Sequence, residues 1–294
     1  MPKPACFRNI LLADDGSDHA RAAIQLLQEL PLSPETHITV LRVFGSQQAT
    51  EVFQMETAIN DTCTLFRGKG FQSDPELLLG YPAEKIIDYT DQHHPDLIVM
   101  GARGLRATLG ILLGGVAQQV IEYAACPVLV VRAPLKGLRR ILLVVDGSPN
   151  SQHAAEYLVK FPFPGQADLH VMHVLPPEYL PVYFEMSYGI PVEQPNKISE
   201  EVARQHAAEE EDEGHLLLSH IAEILSASHF KIKTVLKRGD AATEIIDYVN
   251  KNRIDLIVAG SRGLSRVRSW LLGSVSRKLV HYSGCSVLIV RGQG

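Results

Sequence analysis

The sequence predicts an α/β protein of two similar domains, each a five-stranded, mainly parallel sheet with helices on both faces, the two arranged as a pseudo-dimer. Three observations carry the prediction. Long stretches of the chain recur at fixed offsets, short apolar runs alternate with helix-period patterns inside each recurrence, and glycine-rich turns join apolar runs to helices.

The recurrence is extensive. Ile10-Leu-Leu-Ala-Asp14-Asp15-Gly16-Ser17 matches Ile141-Leu-Leu-Val-Val145-Asp146-Gly147-Ser148 at an offset of 131, as does Ile38 to Val43 against Leu169 to Val174. From Gly80 and Gly239 onward the offset is 159, through Lys85-Ile-Ile-Asp88-Tyr89 against Glu244-Ile-Ile-Asp247-Tyr248 to the terminal runs beginning at Cys126 and Cys285. The second copy therefore holds 28 extra residues between its second strand and the next shared helix. We expect domains at 1–135 and 136–294, with the net insertion near 176–214.

In the first copy the apolar runs give strands near 8–14, 36–44, 74–79, 96–100 and 127–132. Helix-period patterns lie near 18–30, 49–68, 82–93 and 115–125. Strand–helix alternation demands right-handed crossovers and places ligand-binding loops at the carboxyl ends of the strands. Each copy ends in a short apolar strand that would otherwise be an open sheet edge, so the two terminal strands, 127–132 and 287–291, are expected to pair. Further homodimerisation is left open.

Gly101-Ala-Arg-Gly104 is followed after nine residues by Gly114-Gly115-Val116, and Gly260-Ser-Arg-Gly263 after nine by Gly273-Ser274-Val275. Glycine lets backbone amides approach an anion, and the helix that follows offers unpaired N–H groups and the positive end of its dipole. A single such turn serves geometry as well as it serves phosphate; two with identical spacing and flanks favour phosphate. Asp15 and Asp146 end the first strands and reach the same crevice, although Asp-Gly-Ser also starts turns and caps helices.

The cations are unequal. The window from Gly260 to Leu279 holds Arg262, Arg266, Arg268, Arg277 and Lys278, whereas Gly101 to Val120 holds Arg103 and Arg106. Arg103 and Arg262 are either exposed charges or phosphate contacts. A net charge of −5 and a pI near 6.2 argue against general nucleic-acid binding. No apolar run reaches a membrane span and the N-terminus lacks a signal peptide's apolar core, so a soluble, cytoplasmic chain without a membrane partner is expected. The four cysteines show no metal or disulfide spacing, Cys126 and Cys285 read as buried thiols, His93 and His94 as loop residues, and His170 and His173 as opposite faces of a strand. No structural metal is expected.

These residues resemble the universal stress protein family, here as a tandem pair spanning nearly the whole chain: first-strand Asp-Gly-Ser, then Gly-x-x-Gly-x9-Gly-Ser-Val, then a terminal apolar strand. The resemblance implies Rossmann-like domains of the adenine nucleotide α-hydrolase type, ATP or a related adenine nucleotide as ligand, with Mg as an optional companion, and a role in stress survival. It places Asp146 by the ribose and adenine, Val174 at the base edge, Gly260 and Gly263 along ribose and phosphates, and Gly273, Ser274, Val275 and Ser276 around the phosphates. The first-copy counterparts are Asp15, Val43, Gly101, Gly104, Gly114, Gly115, Val116 and Ala117. Without the resemblance, Val43 and Val174 are core and Ser274 a helix cap.

Gly115 and Ala117 stand where the second copy has Ser274 and Ser276, which removes two hydroxyl donors from the first site. ATP is therefore expected to favour the second domain, as a conformational or partner switch. The competing readings are a nucleotide-independent interaction scaffold with an unidentified protein partner, and a slow ATPase. No P-loop, Ser-His-Asp or paired-carboxylate pattern assigns a catalytic group. In the insertion, Pro176 to Asn196 reads as a packed proline-rich loop and Ser199 to Ala227 as a long helix, with Leu217, Ile221, Ile224 and Leu225 on its apolar face and Glu209 to Glu213 in solvent.

Overall fold

The structure, a computed structural model, describes residues 7–104, 113–177, 197–228, 230–263 and 272–292. The first half comprises β1 (Asn9–Ala13), α1 (Asp18–Glu29), β2 (His37–Phe44), a short 3-10 turn, α2 (Val52–Gly68), β3 (Gln72–Leu79), α3 (Pro82–His93), β4 (Leu97–Gly101), α4 (Gly115–Tyr123) and β5 (Val128–Val131). The second repeats that order as β6 (Arg140–Val145), α5 (Pro149–Lys160), β7 (Asp168–Leu175), α6 (Lys197–Leu225), β8 (Lys231–Arg238), α7 (Ala241–Asn252), β9 (Leu256–Gly260), α8 (Ser274–Tyr282) and β10 (Ser286–Val290).

All ten strands form one sheet, ordered β3-β2-β1-β4-β5-β10-β9-β6-β7-β8. Every pairing is parallel except that of β5 with β10, which run antiparallel with Leu129 opposite Leu288. The expected pairing of terminal strands is thus the seam of a pseudo-twofold molecule. The apolar runs read as continuous because both sheet faces are covered. Helices α1, α2, α5 and α6 bury one face, through residues such as Leu26, Phe66, Leu158 and Ile221, and α3, α4, α7 and α8 bury the other, through Ile86, Val120, Ile245 and Leu279.

Arginines lock the seam in a reciprocal way. Arg132, buried beyond β5, donates from Nε to Cys285 O at 3.1 Å and from Nη2 to Val280 O at 2.7 Å, while its N–H meets Ser286 Oγ at 3.2 Å. Its counterpart Arg291 donates to Ile121 O and, at 2.6 Å, to Glu122 O. Each guanidinium satisfies carbonyls at or beyond the carboxyl end of the other half's last helix, where such groups lack intrahelical partners.

The insertion is used partly as helix: α6 has 29 residues against 17 in α2. Residues 178–196, where the packed loop was expected, lie outside the described residues. The apolar face of α6 buries Leu218, Ile221 and Leu225, with Leu217 and Ile224 only partly covered. The acidic run is not wholly in solvent. Glu210 is partly buried because Arg238, at the end of β8, pairs with its Oε2 at 2.6 Å and also donates to Ala207 O and Pro176 O. His93 is the last residue of α3, stacked on Tyr89 at 3.9 Å, rather than a loop residue; His94 then ends the helix in the left-handed region.

Candidate functional site

Two cavities of nearly equal volume, about 250 and about 240 Å3, open at the carboxyl ends of the strands, one in each half. Their equality in size makes their chemistry the discriminating property.

Each begins at the Asp-Gly-Ser turn. Gly16 and Gly147 take φ of +79° and +78°, a left-handed conformation that bends the chain from strand to helix and that L side chains rarely adopt. Ser17 and Ser148 then cap α1 and α5, accepting from Ala20 N–H and Ser151 N–H, and their hydroxyls donate to Arg103 O and Arg262 O. One serine thus ties the turn to the glycine loop in each half. The aspartates make the local turn that the turn-and-cap reading proposed, Oδ1 of Asp15 and of Asp146 accepting from Ser17 N–H and Ser148 N–H at 3.0 Å, while Oδ2 is directed at the second glycine of the loop. A Cβ on Gly104 or Gly263 would overlap that oxygen.

The first glycine answers a different demand. A Cβ on Gly101 would come within 2.8 Å of the α1 backbone at His19 and Ala20, and one on Gly260 within 2.8 Å of Asn150 C. The glycine loops close on themselves through Gly114 N–H to Ala102 O and Gly273 N–H to Ser261 O, both 2.8 Å. The N–H groups of Gly115, Val116 and Ala117, and of Ser274, Val275 and Ser276, occupy the first turns of α4 and α8, where the helix supplies no acceptor. Neither helix has a side-chain cap.

The opposite wall is apolar. In the first cavity it consists of Ala13, Leu41, Val43, Ile86 and Met100, and in the second of Val144, Val174, Ile245 and Ala259. The structure therefore gathers Asp15, Val43, Gly101, Gly104, Gly114, Gly115 and Val116 around one cavity, and Asp146, Val174, Gly260, Arg262, Gly263, Gly273, Ser274, Val275 and Ser276 around the other. Ile86 and Ile245 were not among the expected site residues. Their signal was present in the repeated Ile-Ile-Asp-Tyr run, but helix periodicity alone reads them as core.

Three details change the comparison between cavities. Ser276 is buried and its hydroxyl donates to Gly260 O at 2.8 Å, so it fastens α8 to β9 and does not present that proton to a ligand; Ser274 remains exposed. Of the five second-copy cations, Arg277 lies 3.4 Å from Glu122 and Lys278 lies 3.7 Å from Asp240, while Arg266 and Arg268, like Arg106, fall outside the described residues. The first cavity, in turn, has an additional carboxylate at its strand end, Asp14, buried against Arg42 at 2.6 Å. Val145 replaces Asp14 in the second half, and His173 replaces Arg42; both Arg42 Nε and His173 Nδ1 bond the carbonyl oxygen of the strand-end residue.

Cationic crowding marks both glycine loops. Burial, then the nearby Arg103, lowers the His19 pKa, and burial, then Arg262, lowers that of Arg291. Among the described residues no group of three His, Cys, Asp or Glu side chains is arranged to hold a metal ion. Burial pushes the Cys126 thiol up to about 12 and the Cys285 thiol to about 11, which keeps both protonated and unreactive at neutral pH.

A glycine loop repeated twice, each with an aspartate set against it and a helix start behind it, is matched by a family model. The Universal stress protein family model covers residues 7–132 and again residues 137–291. The chain belongs to that family. Universal stress protein YxiE of Bacillus subtilis is 32% identical over 152 residues, covering 52% of this chain and 98% of its own length. A universal stress protein from Archaeoglobus fulgidus, solved by crystallography, covers 98% of this chain and 97% of its own with a TM-score of 0.66 at 20% identity, a likeness of fold over both halves. A universal stress protein solved in complex with cAMP matches 43% of this chain and 98% of its own at 20% identity, with a TM-score of 0.36.

Proposed function

We propose that this universal stress protein binds ATP or a related adenine nucleotide, preferentially in the second cavity, and that occupancy shifts its conformation or its affinity for a partner during a cytoplasmic stress response. One observation carries the reading: a helix start, whose first amides have no acceptor within the helix, and an apolar slot line the same cavity, with a strand-end carboxylate directed at the glycine loop between them. The amides suit phosphate, the slot suits a flat base, and the carboxylate of Asp146 suits the hydroxyls of a ribose. Any Mg2+ would arrive on the phosphates.

The preference for the second cavity rests on Ser274, exposed at the helix start where the first cavity has Gly115, and on Val145 standing where the first has the carboxylate of Asp14. A hydrogen bond to a charged oxygen contributes about 1.5 to 3 kcal/mol where it forms. At ATP concentrations ~100 times the dissociation constant, binding confined to the folded state adds about 2.7 kcal/mol, a rise of a few degrees in the melting midpoint of the whole chain. Gly273→Val should remove most of that shift and Gly114→Val should spare it, with circular dichroism confirming that both variants fold. The opposite pattern would reverse the ranking of the cavities. A mass spectrum of small molecules released from purified protein identifies the ligand, and finding neither a bound nucleotide nor any ATP-dependent shift would favour the scaffold reading.

A further inference from the structure

On the reading that the second cavity takes an adenine nucleotide, we propose that Arg277 senses the charge of the phosphate chain there, and that Glu122 of the first half holds it back. Arg277 occupies the fourth position of α8, three residues after Ser274. Its side chain is not part of the cavity wall, but helical side chains lean toward the N-terminus, so on leaving Glu122 the guanidinium has only to swing over the first turn of α8 to reach an anion held at Gly273, Ser274 and Val275.

The partners of Arg277 leave it unsatisfied. Its contact with Glu122 Oε1 is 3.4 Å, longer than the 2.7 to 2.9 Å typical of a charge-assisted bond, and its Nε is buried without a hydrogen-bond partner among the described residues. Glu122 is largely buried, on α4, and its backbone carbonyl is already held by Arg291 across the seam. The carboxylate is therefore a fixed competitor and the arginine the mobile member of the pair. A phosphate chain at the α8 start offers Arg277 a second anion, and one of higher charge. The first cavity has no such device, since the repeat places neutral Gln118 opposite Arg277 in the alignment, and His281 opposite Glu122.

Isothermal titration of the full chain with ATP and with adenosine tests this. Glu122→Gln should tighten ATP about two- to fivefold, the range of a partly exposed ion pair, and leave adenosine unchanged. Arg277→Gln should weaken ATP by a similar factor, again sparing adenosine, and in that background Glu122→Gln should have no further effect, because the two act through one contact. The gain must also vanish when Glu122→Gln is combined with Gly273→Val. Equal changes for ATP and adenosine, or additive effects of the two substitutions, would show that the pair only holds the halves together. A parent chain that binds neither ligand overturns the nucleotide reading and this proposal together, whereas a parent that binds ATP and a Glu122→Gln variant that binds it no more tightly overturns this one alone.

Discussion

Glycines sharing one motif serve separable ends. Gly260 is small because the α5 backbone lies against it, and backbone cannot swing away, so Gly260→Ala should cost about 1 to 3 kcal/mol of stability, read by denaturant unfolding. Gly263 is small because a carboxylate tip lies against it, and that tip can rotate, so Gly263→Ala should cost less than about 1 kcal/mol yet displace Asp146 and weaken nucleotide binding at least tenfold. Equal loss of stability in the two variants would contradict this division. His19 gives a pH test. Its two ring nitrogens face N–H donors, Ala133 N–H at 2.9 Å and Arg103 Nε at 3.1 Å; a neutral ring accepts from only one, and a protonated ring from neither. Burial, then Arg103, holds its folded pKa below the ordinary 6.5, so just below pH 6.5 the unfolded chain binds more protons. Stability should therefore be full above pH 6.5, fall as pH drops toward the folded value, and level off beneath it. His19→Gln should remove part of that slope in pH-dependent unfolding, the remainder belonging to His170, also lowered by burial. The motif residues were legible because the chain states them twice. The role of Ser276 was not, since a serine three positions into a helix reads as a donor to ligand until its acceptor, Gly260 O, is known.

At the scale of elements, the boundaries most firmly specified are those with a chemical stop. Helix α3 begins at Pro82 and α5 at Pro149, a position where the missing N–H is no loss. Strand β3 starts at Gln72, two residues before the apolar pattern, and contains Pro75, which an edge strand tolerates because one side has no ladder to satisfy. Helix α2 begins at Val52, after a 3-10 turn over Ser46–Glu51, where helix propensity extends evenly through the junction and marks no start. The clamp on α6 was hidden for another reason: Arg238 and Glu210 are distant in sequence and each reads as an ordinary surface charge. Arg238→Gln should cost about 1 to 3 kcal/mol locally, because Glu210 would be left partly buried with only the longer contact to His206, at 3.5 Å, in place of the 2.6 Å pair. Hydrogen exchange should then accelerate over 204–211 and stay slow over 218–225, which is anchored by Leu218 and Leu225. Uniform acceleration along the helix would mean that the clamp supports α6 as a whole.

At the scale of the molecule, one sheet and two face-wide apolar layers make the halves a single structural unit. Replacing both Arg132 and Arg291 by alanine strands carbonyls at the seam and should cost about 3 kcal/mol or more, splitting one calorimetric transition into two. A double variant that melts as one unit at the parent midpoint would assign cohesion to Leu129, Leu288 and their apolar neighbours instead. Pairing of the terminal strands was legible because an unpaired apolar edge is a liability, but the reciprocal arginines were not, since each finds its acceptors about 150 residues or more away. The antiparallel seam also decides valency. Because strand direction reverses between β5 and β10, the carboxyl ends of the two halves emerge at opposite margins of the sheet, and the cavities look away from each other. On the nucleotide reading, a compound with an adenosine at each end of a short bridge could not fill both cavities of one molecule; it would join neighbouring molecules end to end, turning a receptor for a simple nucleotide into a link in a chain.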